Sequence, residues 1–337
     1  MVDSMSGARI KIGLVGLGEI AVRAHLPTIL NEPRAELVTV CDIDPARIAA
    51  LSLEGPRTST DPYSLFADET LEAVVIATPP DATAALTRAA LKAGKYVLAE
   101  KPLGLSMAEA VTVAEVAGAR ERLQIGLTYR HHPAIERLRD LIAANELGRP
   151  LMIQNTISDE PADPHDEAAY RRRLRSLERN PPIISDGVHA CDRLNFLLDS
   201  TPEQIVGWSL RSNPEYASAN VTGGVLTYPD GTLVRLEVIW LYPVLPPGQL
   251  VVTGPDGCAR VEPATFDLQV TFRDGRAERV EPPGDKTAVC FAIQFERFVD
   301  HCLAGTAPEP GIDAAIASLE LAERIADASG ARLRGAA

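Results

Sequence analysis

Arg9-Ile10-Lys11-Ile12-Gly13-Leu14-Val15-Gly16-Leu17-Gly18-Glu19-Ile20-Ala21 is the stretch whose reading decides the fold. Residues 9–15 form a short apolar run rich in β-branched side chains, and a helical pattern follows through Leu30. The stretch therefore predicts a strand, a tight turn and a helix. Glycines also mark plain turns, so the weight comes from context. A second buried strand over residues 36–41 completes a βαβ unit around the glycines. In that unit Gly16 permits the turn, Gly18 lets backbone amides approach a pyrophosphate, and Ala21 keeps the helix close to the sheet. The helix N-terminus adds partial positive charge. Glu19 and Ile20 complete the expected cofactor-binding turn.

Asp42 ends the second strand, where its carboxylate can accept hydrogen bonds from both adenosine ribose hydroxyls and repel a 2′-phosphate. This favours NAD over NADP. Arg47, one turn later, offsets part of that repulsion and keeps NADP in view. Asp44 competes with Asp42 as N-cap of a helix over residues 46–53, for which Pro45 suits the first position.

Working outward, the pattern predicts strands at 71–77, 96–99 and 124–128, with helices at 81–93 and 107–120 and Gly94 as a helix stop. Near-continuous apolar strands separated by helices indicate a doubly wound parallel sheet covered on both faces. This Rossmann-type domain is expected over residues 1–128. Thr78-Pro79-Pro80 and Glu100-Lys101-Pro102 close two of its strands at the carboxyl edge, where open α/β sheets bind ligands. A lysine at that edge can hold a substrate hydroxyl and stabilise alkoxide charge, which a lysine in bulk water cannot do.

After Pro150 the grammar changes. Strands are expected at 151–158, 204–210, 221–228, 232–240, 249–253 and 258–261, with hairpin punctuation at Pro229-Asp230-Gly231 and Gly254-Pro255-Asp256-Gly257. Helices over 187–198, 287–304 and 313–328 are expected to cover one face of this mostly antiparallel sheet. Residues 129–337 are thus read as an α+β substrate-binding domain. Its uncovered face predicts a homodimer or homotetramer.

The 337 residues with a formal charge of −13 repel polyanions, so nucleic acid is excluded as a partner. The run Arg171-Arg172-Arg173 with Arg175 is read as a solvated helix. The five cysteines are scattered and never spaced Cys-x-x-Cys, which argues against disulfides or structural zinc. No apolar run approaches the length of a membrane span and no signal segment is seen, so a cytoplasmic location is expected. His131-His132 suggests no metal, because adjacent side chains diverge and no further ligand stands at a suitable spacing.

Five motifs together carry a family resemblance: the glycine turn at 16–21, Ala77-Thr78-Pro79-Pro80, Ala99-Glu100-Lys101-Pro102, Tyr129-Arg130-His131-His132-Pro133, and Asp186-Gly187-Val188-His189 with Asp192. In these the chain resembles the Gfo/Idh/MocA oxidoreductases, named for glucose-fructose oxidoreductase and inositol dehydrogenase. The resemblance spans nearly the full length. It implies a tightly held NAD or NADP and hydride transfer at a carbinol carbon of a sugar, cyclitol or related polyol. It also implies catalysis by Lys101 with His189. Thr78, Pro79 and Glu100 would line the nicotinamide ribose side, while Tyr129, Arg130, Asn155, Ser185, Asp186 and Asp192 would meet substrate. His189 and Asp192, three apart, share a helix face.

The chain departs from the family pattern at three places. Ser185 stands where the first aspartate of Asp-x-Gly-x-His-x-x-Asp belongs, and a serine cannot balance a charge. Thr83 replaces a histidine after the Thr-Pro loop, and Asn180-Pro181-Pro182 replaces a glycine run, which predicts a reshaped pocket. Two further readings follow from the resemblance and its gaps: a glycosidase that uses NAD transiently in oxidation and elimination, and a non-catalytic NAD-binding sensor.

Overall fold

The computed structural model describes residues 9–159 and 167–331. The chain divides into two compact units. One runs to Thr128 and takes in Thr287–Ile316; the other holds Tyr129–Lys286 and the chain from Ala317 on.

In the first unit β1 (Ile10–Val15) leads through a π-turn at Ala21–His25 into α1 (Leu26–Asn31). There follow β2 (Ala35–Cys41), α2 (Pro45–Ala50), β3 (Arg57–Ser59), α3 (Pro62–Phe66), β4 (Ala73–Ile76) and α4 (Pro80–Lys92). β5 (Tyr96–Ala99), α5 (Met107–Ala114), α6 (Ala119–Arg122) and β6 (Leu123–Ile125) complete the series. All pairs are parallel, in the order β3-β2-β1-β4-β5-β6. The twofold period of β4 divides its side chains between two apolar clusters. Val74 and Ile76 join Leu86, Leu91 and Ile125, whereas Ala73 and Val75 join Ile12, Leu14 and Leu98. Each fully buried Leu or Ile contributes roughly 1.5–3 kcal/mol, so both faces are driven closed.

Three local expectations change. The helix expected over 107–120 breaks into α5 and α6 because Gly118 adopts φ 80° between them. The strand expected over 124–128 stops at Ile125, and Thr128–His131 forms a 3₁₀ turn. Strand β3 and helix α3 were not anticipated, being too short for a periodic signal.

The second unit begins with α7 (Pro133–Ala143), then β7 (Met152–Ser158), α8 (Glu167–Arg179), α9 (Pro182–Ser185) and α10 (Gly187–Leu198). Seven strands follow: β8 (Gln204–Leu210), β9 (Val221–Thr227), β10 (Leu233–Ile239), β11 (Gln249–Gly254), β12 (Gly257–Val261), β13 (Leu268–Phe272) and β14 (Ala277–Val280). The sheet runs β14-β13-β12-β11-β7-β10-β9-β8, antiparallel except for the β7–β10 pair. Helices cover one face: a Cβ on Gly187 of α10 would lie 3.2 Å from Val238 of β10. The opposite face exposes Met152, Leu233, Val225 and Val206. α8 is solvated as expected, with the Arg171–Glu167 pair in water.

The last two helices are α11 (Lys286–Ala304) and α12 (Ile312–Ser329). The sequence reading placed both on the second sheet, within a domain over 129–337. Instead Phe295, Phe298 and Val299 of α11 pack with Ile12, Leu14 and Leu98 of the first unit, and Ile312 and Ala315 of α12 lie in that unit's other cluster. Amphipathic spacing shows that a helix has an apolar face but not which sheet receives it. No helix among the described residues is long and apolar enough to cross a membrane.

Candidate active site

In the first unit the glycine turn is fixed by its own backbone. Gly16 has φ 89°, and a Cβ there would lie 2.4 Å from the Ala77 carbonyl oxygen, so no side chain fits. Above Gly18 the space is open, the nearest atom to a notional Cβ being Arg47 Nη1 at 3.8 Å. Ala21 is fully buried, as close helix–sheet packing requires. Ile20 packs on the same cluster, and Glu19 faces water opposite Arg23.

Asp42 is 7 % exposed. Its Oδ2 accepts the Leu17 N–H at 2.8 Å and its Oδ1 accepts the Asp44 N–H at 2.9 Å. The cap of α2 is Asp44, through the Ala46 N–H. Asp42 is thereby tied to the glycine turn, and each of its oxygens retains a second lone pair for a ribose hydroxyl. Arg47 Nη1 stands 3.7 Å from Asp42 Oδ2. The side-chain-free turn, the open space over Gly18 and the oriented carboxylate fit a dinucleotide. Thr83, in place of the family's histidine, donates to the Pro79 carbonyl at 3.1 Å and stands 3.3 Å from the Thr78 hydroxyl, stitching that loop to α4.

At the end of β5, Glu100 is buried. His25 Nε2 lies 2.8 Å from its Oε1, while its Oε2 accepts the Lys101 N–H at 3.1 Å. A Cβ on Gly126 would fall 3.0 Å from that carboxylate, so the glycine makes room for it. Lys101 therefore springs from a clamped backbone.

In the second unit His189 opens α10 and is 8 % exposed. The Tyr129 ring lies against it with centroids 4.4 Å apart. Phe266, buried with φ 61°, meets Tyr129 edge-on at 5.4 Å, and Lys286 Nζ sits 5.3 Å over the Tyr129 ring. Lys286 also donates to the Pro263 carbonyl at 2.8 Å. Arg130 grips Asp192 through two N–H donors, Nε to Oδ2 at 3.1 Å and Nη2 to Oδ1. These two expected substrate contacts thus hold each other. Asn155 donates to the Ala190 carbonyl at 3.1 Å and accepts from Arg193. Ser185 closes α9, and Asp186 joins it to α10.

His132 caps α7: its Nδ1 accepts the Ala134 N–H at 3.2 Å. Burial, and secondarily the Lys286 charge, push its pKa down to about 4, so it is a neutral cap. Sequence reasoning missed His25, Arg193, Phe266 and Lys286. Of these only Arg193 carried a signal, standing four residues after His189 on one helix face.

Two family models match the chain. Residues 10–127 match an oxidoreductase family with an NAD-binding Rossmann fold, and residues 135–260 match the GFO/IDH/MocA C-terminal domain. The chain belongs to the Gfo/Idh/MocA oxidoreductase family. This Gfo/Idh/MocA chain is 27 % identical over 330 residues to inositol 2-dehydrogenase 1 of Saccharopolyspora erythraea, covering 93 % of the chain and 92 % of the relative. It is 32 % identical over 241 residues to inositol 2-dehydrogenase 4 of the same organism, covering 69 % and 64 %. The fold matches the myo-inositol 2-dehydrogenase structure from Lactobacillus plantarum with a TM-score of 0.81 at 20 % identity, over 96 % and 97 % of the two chains. The protein is accordingly an NAD-binding oxidoreductase with the expected two-part Gfo/Idh/MocA fold.

Proposed function

We propose that this oxidoreductase interconverts a secondary hydroxyl and a ketone on a small polyol, sugar or cyclitol, with NAD preferred over NADP. The observation that carries the reading is the clamped Glu100 carboxylate, which fixes the Lys101 backbone at the carboxyl edge of a dinucleotide-binding sheet. The inositol dehydrogenases among its relatives support the substrate class.

Nicotinamide, when bound, supplies the hydride acceptor or donor. Gly16, Gly18 and the turn at Glu19-Ile20 receive the pyrophosphate, Asp42 with Arg47 the adenosine ribose, and Thr78, Pro79 and Glu100 the nicotinamide side. Lys101 Nζ donates a hydrogen bond to the substrate oxygen and stabilises its negative charge. In oxidation His189 takes the hydroxyl proton and in reduction it returns it. Tyr129, against the His189 ring, orients the imidazole, whose positive charge Ser185 cannot balance. Asp186 and the Arg130–Asp192 pair shape the substrate side.

The test is reduced-nicotinamide absorbance with NAD and with NADP across inositols, aldoses and deoxy sugars. Lys101→Ala should lower kcat by roughly 10²- to 10³-fold with NADH affinity kept. Unchanged turnover would refute its role. His189→Ala should cost roughly 10²- to 10⁴-fold. A gain on Ser185→Asp would implicate the missing carboxylate directly.

We also propose that the open face of the second sheet joins two copies of the chain, as a homodimer or as part of a homotetramer. Cross-strand register supports this, pairing Met152 with Leu233 and Val225 with Val206 on one face. These two exposed pairs, in neighbouring cross-strand rows, give that face apolar area of the kind that meets a partner. Light scattering at monomer mass would sink this assignment.

A further inference from the structure

Resting on that reading and narrowing its substrate class, we propose that Arg193 is a carboxylate-receiving group beside His189. The substrate is then a sugar acid, an aldonate or uronate, rather than a neutral polyol.

Arg193 lies four residues after His189 on α10, so both side chains leave the same face of the helix. It is 5 % exposed, yet among the described residues its one hydrogen-bond partner is Asn155 Oδ1, a neutral group, and its Nε is buried without a partner. Asp192 and Tyr129 act on it electrostatically without a hydrogen bond to it. Asp192 is engaged through both oxygens by Arg130, and Tyr129 carries the Lys286 ammonium over its ring. A buried guanidinium normally has a carboxylate in hydrogen-bonding contact, because an uncompensated buried charge is among the most destabilising features a core can hold.

Desolvation accordingly lowers the Arg193 pKa to about 10. The cation is thus held without the counter-ion its burial demands. A planar carboxylate fits the fork of donors on a guanidinium, and a ligand supplying one relieves the unpaired charge as it binds. In a chain of net charge −13, His189, Arg193 and Lys286 around one tyrosine are not a by-product of composition. Asn155 also bonds the Ala190 carbonyl, which ties the Arg193 contact to the helix that carries His189.

The experiment uses the full chain with NAD. Thermal shift and NAD reduction are measured with D-gluconate and D-glucuronate, with the neutral analogues D-glucose and myo-inositol, and with glucose 6-phosphate. The acids should raise the melting temperature and be turned over in preference to the neutral analogues. In Arg193→Met the acid-to-neutral ratio of kcat/KM should fall by roughly 10²-fold or more. The thermal shift with acids should vanish, while the melting temperature of the free variant stays equal to or above that of the parent. A guanidinium that served only packing would give the opposite sign in the free variant.

If Arg193→Met does not fold, Arg193→Lys decides: it keeps the charge without the fork and should lose most of the preference for acids. Equal handling of acids and neutral polyols by the parent, an unchanged ratio in Arg193→Lys, or stabilisation by glucose 6-phosphate alone would each overturn the proposal. Stabilisation by gluconate that disappears in Arg193→Met, with no turnover of any alcohol, would uphold the carboxylate site and remove the dehydrogenase reading. Turnover of neutral polyols with no response to either acid would do the reverse.

Discussion

Asp42 in the first unit and Asp192 in the second are both nearly buried, at 7 % and 2 % exposure, and their surroundings differ in kind. Asp42 is held by two backbone N–H groups, of Leu17 and Asp44. Asp192 is held by the side chain of Arg130, whose guanidinium stacks on Phe196 at 5.0 Å. Backbone donors are placed by the fold itself and need no particular partner residue. A guanidinium must be brought in from elsewhere in the chain, and its loss removes a charged partner from a buried carboxylate. Asp42 is therefore held by main-chain geometry, and Asp192 by a paired side chain.

The sharpest break in this contrast is Gly16→Ala. It sets a Cβ against the Ala77 carbonyl at φ 89°, so NADH binding measured by fluorescence titration should be lost together with several kcal/mol of stability. Retained binding would show that the cradle does not depend on its backbone. Next comes Arg130→Met, which removes the guanidinium from both oxygens of the buried Asp192 and should cost up to about 3–5 kcal/mol in denaturant unfolding. The double variant Arg130→Met with Asp192→Leu should recover most of that loss. Failure to recover would mean that the pair does more than neutralise itself.

Acid stability probes His132. Its folded-state pKa, about 4, lies below the ordinary value of 6.5, so folding favours the neutral ring. That contribution is complete above pH 6.5 and is lost as pH falls toward 4, by about 2–3 kcal/mol. His132→Asn, which keeps a cap acceptor, should flatten the melting temperature over this interval; an unchanged slope would assign the acid sensitivity elsewhere. The smallest effect is expected for Arg171→Ala. Its solvated pair with Glu167 should leave the unfolding midpoint where it was.

The same contrast explains what could be read in advance. Gly18 and Asp42 are local: each acts within one βαβ unit, and spacing along the chain encodes that directly, whereas Gly16 is legible from its place in the turn although the Ala77 carbonyl it makes room for lies beyond that unit. α10 was legible from residue 187 to 198 because its apolar period is complete. His25 was not, since its partner Glu100 is 75 residues away and only sheet order brings them together. The adjacency of His131 and His132 argued only against a metal, and it is the α7 backbone that shows His132 to be a cap. Phe266 escaped notice because a left-handed aromatic in a loop has no periodic signature.

With the family resemblance pointing to Lys101 and His189 as the residues to test, the sequence by itself determined the two architectures and the dinucleotide cradle. Those depend on short-range patterns of glycine, apolar period and strand ends. Tertiary structure alone decided that α11 belongs to the first unit, that Arg130 and Asp192 engage each other, and that Arg193 is buried beside His189 without a carboxylate. Each of these depends on which distant side chains share a buried volume, and desolvation there sets the cost of every unpaired charge.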